Sequence, residues 1–249
     1  MTQSAITPRR PLPPAEGADP ATSPAFGRAV LRAARSAALA TLDAGSGFPF
    51  ASIVNIATDA DGAPLMLLST VALHTRNIMA DPRVSLMLTP LTADAAPRMG
   101  AAGGGRLTVT GRALRQPDPN ALRRFLACQP KMTLPSTLPS FELWRVEPAA
   151  ADLLGGPGLL AALGAKDLLT DLTGAEALVA GEAALLRDLN TAHAARLRAM
   201  AEAKGGEAGP WRATGLDPDG VDLRLGGQAL RLALPNRVTT AAGFLAALG

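Results

Sequence analysis

The stretch FASIVNIATDADGAPLMLLSTVALHTRNIMADPRVSLM, Phe50 to Met87, decides the fold. Ala51 to Ala57 alternates as a half-buried strand does. Asp59-Ala60-Asp61-Gly62 is turn chemistry: two carboxylates able to bond their own backbone, then a glycine free to take positive φ. Leu65 to Leu68 is a short apolar run, which predicts a buried strand ended by the hydroxyls of Ser69 and Thr70. His74-Thr75-Arg76-Asn77 opens a helical turn, and Asp81-Pro82 closes it because the residue before a proline disfavours helix. Val84 to Leu88 is the next strand. Two strands therefore deliver polar groups to one helix start, where unpaired N–H groups favour an anion such as phosphate.

The neighbouring chain continues the pattern. Ala37 to Leu42 predicts a first strand, turned by Gly45-Ser46-Gly47 into the stretch above. Arg106 to Leu114 alternates, with Leu107, Val109 and Gly111 on one face and Arg106, Thr108, Thr110 and Arg112 on the other. Asp118-Pro119 starts a helix running to Cys128, with Leu122, Phe125 and Leu126 inward. Phe141 to Val146 and Ala149 to Leu154 read as two strands interrupted by Pro148. Before these elements, Ala25 to Arg35 reads as an amphipathic helix.

Composition narrows the class. The chain has 249 residues, enough to bury one large core or two small ones. A single cysteine, Cys128, excludes an internal disulfide and is what a reducing cytoplasm leads one to expect. No apolar run reaches the roughly 18 residues of a membrane span, and the Pro-rich start has no apolar core of an export signal. Lys and Arg number 24 against 21 Asp and Glu, a net charge of +3 without a basic tract. With no tyrosine for base stacking, this argues against a nucleic-acid partner. His74 and His193 are the only histidines, and no Cys/His cluster suggests a structural zinc site.

Leu67-Leu68-Ser69, then Ala72, His74-Thr75, Asn77-Ile78 and Asp81-Pro82-Arg83-Val84-Ser85-Leu86, resembles the pyridoxamine 5′-phosphate oxidase-like superfamily, and within it the haem-utilisation (HugZ-type) branch. Leu39 to Leu42, Arg106 to Ala113, Phe141 to Pro148 and Gly155-Gly156 match in the same order. The resemblance implies an α+β chain. Residues 25–158 would form a split β-barrel of the FMN-binding type, after a Pro-rich tail at 1–24. A linker at 159–175 would lead to a small α+β domain at 176–249. It also implies a homodimer that binds FMN, and a flavin-dependent oxidoreductase. The alternatives are a haem-binding or haem-degrading protein and a non-catalytic flavin or ligand-binding module. The segment Gln129 to Leu134 lacks the aromatic and histidine character of relatives, and Pro157 stands where they tend to carry phenylalanine.

On that resemblance, His74, Thr75, Asn77 and Arg106 would converge on the FMN phosphate. Ser69 and Thr70 would offer hydroxyls to the ribityl-phosphate. Ser52, Val54 and Asn55 would offer backbone groups to the flavin ring edge. Each residue has a plainer reading: His74 a surface histidine at a helix start, Thr75 and Asn77 helix caps, Arg106 a solvated strand-end cation. The Gly103-Gly104-Gly105 run leads into a strand and no Gly-Lys-Ser follows it, so it reads as a surface loop. His193 falls on the apolar face of a long helix predicted from Glu176 to Ala203; it is either a packing residue or, if haem is the ligand, its axial donor. The chain ends without the C-terminal histidine that some haem-degrading relatives use. A hairpin around Asp217 to Gly220, a strand at Leu230 to Leu234 and a helix from Ala241 to Leu248 complete the second domain.

Overall fold

A computed structural model describes residues 22–89, 105–154 and 160–248. The Pro-rich tail to residue 21, the glycine run apart from Gly105, and Gly155 to Gly158 lie outside them. Within them the chain divides into two compact units, the first ending at Leu169 and the second running from Thr170.

The first unit is an antiparallel barrel. Its strands are β1 (Ser36–Leu42), β2 (Pro49–Thr58), β3 (Pro64–Ser69), β4 (Arg83–Leu88), β5 (Arg106–Arg115), β6 (Phe141–Leu154) and β7 (Leu160–Gly164). They lie in the order β3-β2-β1-β4-β5-β6-β7, and a further β3–β6 pairing closes six of them into a ring. This is the split barrel that the sequence implies. Closure requires β6 to change partners: it pairs with β3 at Phe141 to Arg145, and with β7 at Ala150 to Leu154. Its register with β5 shifts between Thr110 and Gly111, opposite Ala150 and Pro148, so that Ala149 is the extra residue. A bulge of this kind bends a strand and leaves a place where proline costs no ladder bond. The two strands read from the sequence are thus one continuous strand.

Helix α1 (Thr22–Ala33) adds Phe26, Val30 and Leu31 to the barrel core, which is built on Leu39, Ile56, Met66, Leu86, Leu107, Val109 and Leu153. Helix α2 (Leu73–Ala80) adds Ile78. Helix α3 (Pro119–Cys128) starts as read, with Asp118 accepting from the Asn120 N–H and Pro119 in the first turn. It lays Ala121 and Phe125 over Ala57, Leu65, Leu67 and Leu143 on the outside of the barrel. That explains the unbroken apolar run of β3: Met66 and Leu68 point into the barrel, Leu65 and Leu67 under α3. A 3-10 turn at Pro130–Met132 and helix α4 (Thr133–Ser136) lead to β6.

Leu160 to Leu168, read as linker, contributes β7 and helix α5 (Ala165–Leu168) to this unit, with Leu163 and Leu168 in its core. The run is too short and too apolar throughout to show a strand's alternation.

The second unit holds helices α6 (Glu176–Ala180), α7 (Glu182–Leu189) and α8 (Ala194–Ala203). The sheet β8 (Arg212–Asp217), β9 (Gly220–Leu225), β10 (Gln228–Ala233) and helix α9 (Ala241–Ala247) follow. Its core gathers Leu178, Leu185, Leu189, Leu197, Trp211, Leu216, Leu223 and Phe244. The single long helix read from periodicity is three. It breaks at Gly181 and again at Asn190 to His193. The second break has a cause: the Asn190 carboxamide leaves the helix to pair with the Ala213 backbone, donating to its carbonyl at 2.9 Å and accepting from its N–H at 2.8 Å. Glu182 accepts from the Leu216 N–H at 2.8 Å. Two side chains thus occupy the open edge of β8, which bare backbone would leave as a template for another strand.

Candidate functional site

The site is built where β2 meets α2. On β2, Val54 and Ile56 point into the core, and Ser52 shares their face. Helix α2 begins after Ala72, whose side chain supplies no cap. Among the described residues, no side chain accepts from the N–H groups of its first turn. His74 stands in that turn, and its Nδ1 lies 3.1 Å from the Ser52 Oγ. Burial alone pushes the His74 pKa below the usual imidazole value, which favours the neutral ring.

Thr75 and Asn77 lie on the buried side of α2, both fully buried. Neither caps the helix. Asn77 is a strut: its amide donates to Thr41 Oγ1 at 3.0 Å and its Oδ1 accepts from the Ala44 N–H at 3.2 Å. It fixes α2 to β1 and the turn after it. Thr75 differs, because its Oγ1 is buried without a hydrogen-bond partner among the described residues. A buried hydroxyl left in that state costs about 1–3 kcal/mol. Ser69 and Thr70 lead into α2; the Ser69 carbonyl accepts from the Ala72 N–H at 3.1 Å, and the Thr70 N–H donates to the Ser140 carbonyl at 2.7 Å. Both side chains are half-buried.

The remaining residues fall elsewhere. The Val54 side chain is core, and Asn55 points outward and is exposed. Arg106 is exposed at the start of β5, on the face opposite Leu107 and Val109. Strands β1 and β4 separate β5 from β2. Within one chain the register does not bring Arg106 to the Ser52–His74 pair. His193 precedes α8 as its N-cap instead of lying on an apolar helix face, half-exposed, with Nε2 3.6 Å from Asp188 Oδ2.

Sequence reasoning passed over the outer face that Asn55 and Arg106 share. Its middle row runs Ile53, Ala38, Met87, Thr108 across four strands, and the next row runs Ala51, Ala40, Ser85, Thr110. Ile53 is 76% exposed and Met87 44%. The signal was available: if Ser52, Val54 and Ile56 face inward, Ile53 must face out. At the near end of this face Arg83 is paired with Asp81, whose carboxyl the guanidinium holds at about 2.

Residues 25–155 match the family model described as pyridoxamine 5′-phosphate oxidase. The chloroplastic heme oxygenase HOZ of Arabidopsis thaliana is 32% identical over 113 residues, 44% of this chain and 33% of the plant protein. The match thus spans about a third of that relative's length. A crystal structure of a protein of unknown function from Agrobacterium tumefaciens superposes with a TM-score of 0.80 at 36% identity, covering 99% of both chains. A heme-binding protein from Mycobacterium smegmatis superposes with a TM-score of 0.52 at 24% identity, over 91% of this chain and 94% of that one, and shares the fold. Barrel closure, the α2 insertion and a family match over more than half of its length agree: the chain belongs to the pyridoxamine 5′-phosphate oxidase family.

Proposed function

We propose that the barrel unit binds FMN, with the phosphate at the start of α2, and serves a flavin-dependent oxidoreductase reaction. One observation carries this reading. An uncapped helix start presents the Ser52–His74 pair, and the next residue, Thr75, holds a buried hydroxyl without a hydrogen-bond partner among the described residues. That donor set suits a phosphate, which accepts hydrogen bonds on several oxygens. FMN, when bound, supplies the electron-transfer chemistry. The chain's own work is to hold it: His74, Thr75 and the first N–H groups of α2 on the phosphate, Ser69 and Thr70 toward the ribityl chain, and the backbone of Ser52, Val54 and Asn55 at the ring edge. Asn77 keeps α2 in register with β1 and needs no contact of its own.

The same reading makes the protein a homodimer. What supports it is the outer face of small residues around exposed Ile53 and Met87, which a second copy would cover. Arg106 stands on that face, so it serves a site that the second copy completes.

A second reading, haem binding or haem degradation, is favoured by the likeness to the plant heme oxygenase. His193 would then be the axial donor. Titration of the purified protein with FMN and with haemin, followed by absorption and flavin fluorescence, separates the two. We expect FMN to bind, and His74→Ala to weaken it about 10- to 150-fold, the equivalent of the roughly 1.5–3 kcal/mol of a hydrogen bond to a charged group. Haemin binding with no FMN binding, lost in His193→Ala, would replace the flavin reading with the haem one.

A further inference from the structure

The 3.1 Å contact between Ser52 Oγ and His74 Nδ1 can be made in two ways. Either the hydroxyl donates to a bare Nδ1, or an Nδ1–H donates to the hydroxyl. The surroundings of the ring decide between them. Helix α2 packs on β1 and β2, and neither strand carries a charged side chain: they read SAALATL and PFASIVNIAT. On α2 itself the other charge is Arg76, which has the same sign as an imidazolium. The nearby carboxylates are engaged elsewhere. Asp43, in the turn after β1, accepts from the Ser46 hydroxyl and from the N–H groups of Gly45 and Ser46. Asp81, after α2, is paired with Arg83. Among the described residues no carboxylate meets His74 to stabilise a protonated ring, and partial burial removes water from it.

The hydroxyl then breaks the tie between the neutral tautomers. Among the described residues, Ser52 Oγ has His74 Nδ1 as its hydrogen-bond partner and no other. If Nδ1–H donated, the half-buried hydroxyl proton would have no protein acceptor. If the hydroxyl donates, its proton and the Nδ1 lone pair satisfy each other. We propose that Ser52 is a positioning residue: its hydroxyl donates to His74 Nδ1 and locks the ring as the Nε2–H tautomer. The start of α2 is thereby given a fixed, uncharged N–H donor. That this donor meets a flavin phosphate rests on the function proposed above; the tautomer does not.

The full chain without ligand tests the inference, because it has two histidines. With ¹⁵N-labelled histidine, the ring nitrogens and carbon-bound protons report the tautomer and the titration midpoint of each, and His193→Gln assigns them. The His74 ring is expected to carry its proton on Nε2 at pH 7. With no hydroxyl to donate to the bare nitrogen, Ser52→Ala should let the Nδ1–H form appear in the neutral ring. Ser52→Thr, which keeps the hydroxyl and suits a strand, should restore the parent behaviour. An Nδ1–H tautomer in the parent protein, or a tautomer balance that Ser52→Ala leaves unchanged, would overturn the proposal. Should Ser52→Ala not fold, the parent spectrum and Ser52→Thr still decide it. Failure to bind FMN would remove the flavin reading and leave this result intact.

Discussion

Thr75 is a hydroxyl in the wrong place for stability alone. Fully buried and without a partner among the described residues, it should be replaceable by valine, which has the same shape and no polar group. Thr75→Val is therefore expected to stabilise the ligand-free protein by about 1 kcal/mol in urea unfolding, and to weaken FMN about tenfold if the hydroxyl holds the phosphate. A variant with unchanged stability and unchanged flavin affinity would make Thr75 ordinary core. A different polar cluster shows the opposite design. Arg145 donates to Asp59 at 2.6 Å and to both Asp61 oxygens, all of them largely buried. Arg32 and Arg124 bond carbonyls of the same hairpin. Burial alone would raise the Asp61 pKa, but the hydrogen bond and charge of Arg145 outweigh it and hold it below the ordinary value. A depressed carboxyl contributes stability above its unfolded pKa, about 3.9, and loses it as pH falls through the folded one. The urea midpoint should therefore drop on acidification below about pH 4, and Asp61→Asn should flatten that drop. Sequence identified the aspartates as turn formers but not Arg145, because a partner 84 residues away leaves no local pattern. The brace that Asn77 makes to Thr41 and Ala44 is hidden for a related reason: a polar residue at a helix start reads the same whether it binds a ligand or braces a strand.

At the scale of elements, patterns with a short period were legible and irregularities were not. The β2–β3 hairpin follows from Asp59 to Gly62, and Gly62 takes the positive φ of 95° that the turn demands. The break inside the predicted long helix was hidden, since Leu185, Leu189 and Leu197 keep helical spacing across it. Only the tertiary use of Asn190 at the β8 edge reveals it. The β5–β6 bulge was hidden in the same way: Pro148 marked an interruption, but its partner Gly111 did not. A Cβ on Gly111 would lie 2.1 Å from the Glu147 carbonyl oxygen and 3.1 Å from the Pro148 Cα. Backbone cannot step aside as the end of a side chain can. Gly111→Ala is expected to cost about 2–3 kcal/mol of stability, since relief requires the two strands to part where β6 changes direction. A melting temperature matching the parent would show that the bulge tolerates a side chain.

For the whole molecule, the question is which unit holds the function. The barrel core and the core around Trp211 and Phe244 are separate clusters, and each unit has its own sheet. The boundary was legible only roughly, because the apolar run from Leu160 joins the barrel as β7 and α5, and the division falls at Leu169. A chain ended at Gly174 keeps every strand of the barrel, the Ser52–His74 pair, Thr75 and the Ile53–Met87 face. On the flavin reading it should sediment as a dimer and bind FMN within a few-fold of the full chain. Ile53→Glu in that shortened chain would bury a charge at the heart of the proposed interface, which costs several kcal/mol when unpaired. Monomers with weakened FMN binding are the expected result, because Arg106 would then lack the copy it serves. On the haem reading, the same shortening removes His193 and should abolish haem binding altogether. A folded, dimeric barrel that has lost FMN would mean that the second unit builds part of the flavin site. A monomeric barrel that still binds FMN at full strength would mean that the site is complete within one chain.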